Sequence, residues 1–172
     1  MVLSTFFLAQ VIGVLVTVTS IVTVQFKNLR YILIGSVLSN LLVSLNYALL
    51  GGLSGAGVCI LATVQTFWIY LYNRKEASFP LPLNLGFMAG YTIVSALSFN
   101  GVPSVLSCLA AYLYALAVAQ SDSKMYRVFM LLNSFLWIAY DIYTRAYTTI
   151  FTHGFLVVSI LLAMYRLDRK KQ

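Results

Sequence analysis

Asn133, Trp137, Tyr140 and Thr144 fall at i, i+4, i+7 and i+11, which sets an amide, an indole and a phenol on one face of an otherwise apolar helix. A face of that kind lines an interior: the amide supplies donors and an acceptor, and the rings supply flat apolar surface for a ring or a sugar. Asn40, Ser44 and Tyr47 repeat the spacing 93 positions earlier. Asn40, Tyr47, Gln65, Asn133, Trp137 and Tyr140 are therefore the candidate solute-binding residues, with Gln65 included as a second buried amide one turn before Trp68. The competing use of Asn40 and Asn133 is as glue between helices, where such hydrogen bonds contribute roughly 0.6–2 kcal/mol.

Asp141 is the one acid inside an expected helix, a placement that marks function by default. Arg145 follows at i+4, where the two neutralise as an ion pair at the mouth; a role for Asp141 in solute or proton binding is the other reading. His153 stands alone in sequence and reads as a hydrogen-bonding core histidine, with proton coupling as its other use. A metal would need further ligands converging on it, so neither a metal nor a cofactor is expected. Cys59 and Cys108 have no CxxC spacing and read as packing residues.

The elements that must position these groups are set by composition. Of 172 residues, 61% are hydrophobic and only 9% charged, and the mean hydropathy is +0.91. That leaves too little polar surface for a soluble domain, so the chain reads as an all-α integral membrane protein in a lipid bilayer. A crossing helix needs about 20 apolar residues, with a range of about 17 to 25. Seven segments qualify: Leu3 to Gln25, Tyr31 to Leu50, Gly55 to Tyr72, Leu83 to Leu97, Val102 to Gln120, Tyr126 to Tyr143 and Tyr147 to Tyr165, the fourth being the shortest. The first lacks a basic leader and a small-residue cleavage site, so it reads as a retained helix.

The formal charge of +7 does not point to nucleic acid, because the basic residues cluster at the ends of the apolar segments. Ten of the eleven follow the first, third, fifth and seventh helices, and only Arg145 lies at the opposite end. The positive-inside rule then puts the C-terminus in the cytoplasm and the N-terminus outside, which an odd number of crossings also requires.

Overlaying Val37 to Tyr72 on Met130 to Tyr165 pairs Asn40 with Asn133, Tyr47 with Tyr140, Thr66 with Ser159 and Tyr72 with Tyr165. The expected layout is two parallel triple-helix bundles, 1–76 and 101–172, joined by a spacer helix in 77–100 that restores the orientation an odd repeat would invert. Parallel repeats of this kind carry a transporter's site at the repeat interface near the midplane. The offset places Gln10 opposite Pro103 in the two first helices, with Gly13 one turn along from Gln10, and these three are candidate gating positions; alternatively Pro103 only opens its helix. Gly86 and Gly90 form a GxxxG pattern that packs the spacer helix, or alternatively a homo-oligomer contact.

The segment Ala9 to Val14, the turn Tyr47 to Ala56, the size and the basic tail resemble the YgjV family of bacterial inner membrane proteins. More remotely, Trp137-x-x-Tyr140-Asp141 and the three-plus-one-plus-three layout are similar to PnuC-type vitamin transporters and SWEET sugar facilitators, though their Pro-Gln dipeptide is absent. The resemblance implies facilitated passage of a small polar solute that is nucleoside-, vitamin- or sugar-like. The other class is a non-transporting inner-membrane scaffold or subunit.

An enzyme is not expected. The phosphate-cradling GxxxxGK[ST] pattern is absent, and Tyr147 to Tyr165 holds no lysine for a retinal Schiff base. The Gly52-Leu53-Ser54-Gly55 stretch matches the GxSG element of rhomboid proteases, but Ser54 in a glycine-rich turn is better explained as a helix cap.

Overall fold

The computed structural model describes residues 2–49, 53–99, 101–144 and 147–168. They form seven α-helices in chain order: α1 Val2–Gln25, α2 Leu29–Leu49, α3 Leu53–Arg74, α4 Leu81–Leu97, α5 Val102–Val118, α6 Ser123–Thr144 and α7 Tyr147–Ala163. A single wider, π-helical turn, Met164–Asp168, continues α7. The protein is all-helical, as its composition requires.

The helix ends follow local chemistry. Helix α4 starts two residues earlier than hydropathy suggests, because Pro80 caps it and Pro82 sits in its first turn, where the missing N–H costs nothing. Pro103 occupies the same kind of place in α5, which begins at Val102. At that place a proline opens a helix without the loss of an i−4 hydrogen bond, which is the second of the two readings of Pro103.

Phe7–Gln25, Leu29–Asn46, Ala56–Arg74 and Ile150–Leu167 are long and apolar enough to cross a membrane, while Leu81–Leu97 and Ser104–Val118 are apolar but shorter. Helices α4 and α5 have 17 residues each, about 25 Å at the helical rise, near the low end of the crossing range. Helix α6 is long enough at 22 residues but carries Lys124, Arg127 and Asn133. Large apolar side chains cover the outside, Leu97 at 85% exposed and Phe151 at 69% among them. Such a surface is stable against lipid and not against water.

Each helix packs on its neighbours in sequence, and the ring closes where α1 meets α7, with a further contact between α3 and α5. Exchanging α1–α3 with α5–α7 maps these contacts onto themselves: α1·α2 onto α5·α6, α2·α3 onto α6·α7, and α1·α7 onto α3·α5. Helix α4 lies against α3 and α5. Its seam is made of Ala62, Tyr91, Ala111 and Ala115, small residues that let helices approach closely around one buried ring. Gly90 belongs to this seam, since a Cβ there would come within 2.9 Å of Leu61 Cδ2. Gly86 faces open space, so only half of the GxxxG pattern packs within the chain.

The main apolar cluster, including Val24, Leu29, Ile32, Leu33, Ile69, Val118 and Ile160, gathers where α1 ends and α2 begins. Arg127 is buried beside it, 1% exposed. Its Nε donates to the Val24 carbonyl at 3.1 Å and its Nη2 to the Phe26 carbonyl, so a cation from α6 caps the C-terminus of α1. Sequence counting treated Arg127 as one of the flanking charges that set orientation; it is a bond inside the bundle.

Close approach of α1 and α2 depends on Gly35, where a Cβ would lie 2.9 Å from Thr23 Cγ2. Gly35→Leu is expected to destabilise the protein by ~1–3 kcal/mol through overpacking, whereas Gly86→Leu is expected to stay within ~0.5 kcal/mol of the native protein. Thermal unfolding of both variants in detergent checks this; equal midpoints would mean that the α1–α2 contact is not as placed.

Candidate functional site

Between the helices lies a cavity of about 200 Å³ lined by residues from α1, α2, α3, α5, α6 and α7. On α1 it meets Gly13, Val16, Ser20 and Thr23, and on α2 Ser36, Ser39, Asn40, Val43 and Asn46; each set recurs every three or four residues, one helix face. Cys59 of α3 and Tyr114 of α5 face it, as do Tyr126, Met130, Asn133 and Trp137 of α6 and Thr152, His153 and Leu156 of α7. The two asparagines related by the 93-residue offset thus meet at one cavity.

An amide inside an apolar bundle is costly unless bonded. Asn133 Nδ2 donates to the Ala110 carbonyl at 2.6 Å. Asn46 Nδ2 donates to the Ala9 carbonyl at 2.6 Å, and Asn40 Nδ2 donates to the Tyr114 hydroxyl. Thr66 donates to the Ala62 carbonyl at 2.7 Å, so at its 2.8 Å contact with Tyr114 the tyrosine is the donor. A directed chain, Asn40 to Tyr114 to Thr66 to Ala62, therefore joins α2, α5 and α3. Among the described residues, the Oδ1 atoms of these three asparagines accept no hydrogen bond, and each amide keeps a second N–H.

Two further links hold the cavity's walls. Ser36 and Tyr126 share a hydrogen bond of 2.9 Å between α2 and α6. Gln25 donates to the carbonyl and the hydroxyl of Ser159, both at 2.7 Å, and Ser159 donates on to the Ile21 carbonyl at 3.2 Å. The offset pairs Ser159 with Thr66 and Tyr114 with Ile21, so the contacts of α7 with α1 and of α3 with α5 use equivalent positions.

Trp137 forms one wall. Its ring lies parallel to that of His153, with centroids 6.0 Å apart, and edge-on to that of Tyr140 at 5.3 Å. His153 is thus a cavity residue stacked on the tryptophan, which solitary placement in the sequence did not suggest. Among the described residues no group of three metal-ligating side chains occurs.

Gln65 is elsewhere. It is fully buried between α3 and α4, donating to Asn84 Oδ1 at 2.7 Å and accepting from the Tyr91 hydroxyl at 2.8 Å. The expectation that it shares a lining with Asn40 and Asn133 is corrected: its amide bonds Asn84 and Tyr91 of α4, and it is not among the residues that line the cavity. Tyr140 reaches the site through Trp137 and is not part of the lining. Gly13 is in the α1 wall, with its carbonyl accepting from Thr17 at 3.0 Å. The side chains of Gln10, Tyr47, Pro103 and Asp141, and all of Arg145, lie outside the described residues, and the expected Asp141–Arg145 pair with them.

Sequence reading missed Asn46, Thr152, Tyr114, Tyr126 and the hydroxyls of α1 and α2. Asn46 carried a usable signal, an amide inside an apolar helix. Serine and threonine carried none, since in such helices they bond their own preceding turn, as Thr23 does to Thr19 at 2.7 Å.

A family model described as bacterial inner membrane protein, Imp-YgjV, matches residues 7–171. No curated protein and no solved structure matches the chain.

The amide–phenol chain is open to direct measurement. In a double-mutant cycle of Asn40→Ala and Tyr114→Phe, read by unfolding in detergent, a coupling of ~0.6 kcal/mol and at most ~1.7 kcal/mol is expected. Strict additivity would show that the two side chains do not bond.

Proposed function

The chain belongs to the Imp-YgjV family of bacterial inner membrane proteins, and we propose that it is a facilitator or transporter carrying a small uncharged polar solute across that membrane. The observation that carries the reading is the cavity between the helices, with Asn40 and Asn133, 93 positions apart in the sequence, both in its wall. A solute site at the interface of parallel repeats, near the middle of the bundle, is where alternating access places it. The reading assigns the chain no covalent chemistry.

The lining supports an uncharged solute. Its described side chains are amides, hydroxyls, aromatics and aliphatics, and no lysine, arginine, aspartate or glutamate is among them. In this reading the end where α1 finishes, which carries Lys27, Arg30, Arg74, Lys75, Lys124 and Arg166, is cytoplasmic, and the N-terminus is external. The apolar cluster of Val24, Ile32, Leu33, Val118 and Ile160 then lies between the cavity and the cytoplasm. Alternating access requires the halves α1–α3 and α5–α7 to rock across the α1·α7 and α3·α5 seams. The side-chain links across these seams are a few hydrogen bonds, Gln25–Ser159, Thr17–Thr152 and Thr66–Tyr114 among them, each of ~0.6–2 kcal/mol in membranes and therefore reversible. A scaffold has no need of a polar hollow between its halves, and the hollow weighs for transport.

A thermal-shift screen of nucleosides, vitamins and sugars identifies a solute, because a ligand of the folded state raises apparent stability. In proteoliposomes, Trp137→Ala and Asn133→Leu are expected to lower uptake of that solute at least ~10-fold, the cost of ~1.4 kcal/mol or more of lost binding. Gln65→Leu is expected to retain uptake while lowering the unfolding midpoint, since Gln65 bonds only the spacer helix. Native uptake by both cavity variants, with monodisperse protein, would refute the pathway.

A further inference from the structure

We infer that the cavity takes a neutral, flat, single-ring solute with an amide or lactam edge, of the size and chemistry of a pyrimidine base. This rests on the reading of the cavity as a solute site and narrows it. Three independent properties of the cavity point to this class.

The first is size. A dry engineered cavity of about 150 Å³ accommodates a benzene molecule, so about 200 Å³ accommodates one ring with one or two substituents. A nucleoside, with its sugar attached, is too large to be enclosed.

The second is charge. An ion entering the cavity gives up its hydration, and the described lining offers no opposite charge in return. The imidazole of the lining, His153, lies flat against the Trp137 ring.

The third is where the polar groups lie. Val16, Val43, Met130 and Leu156 make apolar wall, and Trp137 adds a large aromatic one. A monosaccharide has hydroxyls on every side, and those against the valines and methionine would lose water without gaining a partner. A heteroaromatic ring has apolar faces and keeps its donors and acceptors on the rim. The rim has partners here: Asn40, Asn46 and Asn133 each have one N–H donated to the framework, and among the described residues the Oδ1 and the second N–H of each remain to bond a solute. A side-by-side donor and acceptor is the pattern by which an asparagine reads the edge of a base.

The test uses the full chain in lipid nanodiscs, with equilibrium binding of radiolabelled uracil, cytosine and benzamide. Unlabelled uridine, xylose and orotate are the competitors: a ring with its sugar, a sugar alone, and a charged ring. Saturable binding of a single-ring probe at one per chain is expected, with each competitor at least ~10-fold weaker than unlabelled probe. Asn133→Leu is expected to weaken probe binding ~10-fold, the loss of about one buried hydrogen bond to the rim. Binding of uridine, xylose or orotate, each also assayed as its own radiolabelled form, that depends on Trp137, without binding of the single-ring probes, would overturn the solute class and leave the cavity as a solute site. Absence of binding by every compound would overturn both. Probe binding unchanged in Trp137→Ala and Asn133→Leu would place the site outside this cavity and overturn the inference.

Discussion

Hydrocarbon offers no hydrogen bonds, and every polar group that this chain carries into the bundle must find its partner in the bundle. The directed chain from Asn40 through Tyr114 and Thr66 to Ala62 is the plainest case. It joins three helices from both halves of the chain, and it fixes Tyr114 so that its ring borders the cavity. Arg127 obeys the same rule with a full charge, capping carbonyls at the end of α1. Three asparagine amides with bonding capacity to spare, Asn40, Asn46 and Asn133, are gathered at one cavity. Such a concentration of amides is what the proposed solute site requires.

The constraint also explains the unequal treatment of amides. Gln65 and Asn133 look alike in sequence, each a lone amide in an apolar helix. Gln65 is closed off by Asn84 and Tyr91 of α4, whereas Asn133 has one bond to a helix carbonyl and faces the hollow. Helix α4 is short, outside the repeat and seated on α3 and α5. Its polar residues serve to hold it there, as the Thr92–Tyr112 hydroxyl pair does toward α5.

Much of this was legible in the residues. Apolar runs and breakers located all seven helices, with ends shifted by a few residues where proline or a capping turn decides the boundary. The 93-residue offset paired Asn40 with Asn133, and both line the one cavity. Trp137 was legible as a large ring on a polar face. Periodicity names a face, however, and does not say what covers it. For that reason Gln65 was misplaced, His153 looked solitary, and Arg127 passed for a surface charge. The family match places the chain in the bacterial inner membrane and adds no residue-level role.

The clamp on α1 has a consequence for how the molecule is made. Arg127 and the carbonyls of Val24 and Phe26 that it binds are separated by about a hundred residues of chain. Translation at about 5–20 residues per second delivers the arginine several seconds or more after those carbonyls emerge. Until then α1 ends in acceptors that only water or lipid headgroups can serve. The C-terminus of α1 is therefore completed only once α6 has been made, which ties the closure of this end of the bundle to the order of synthesis.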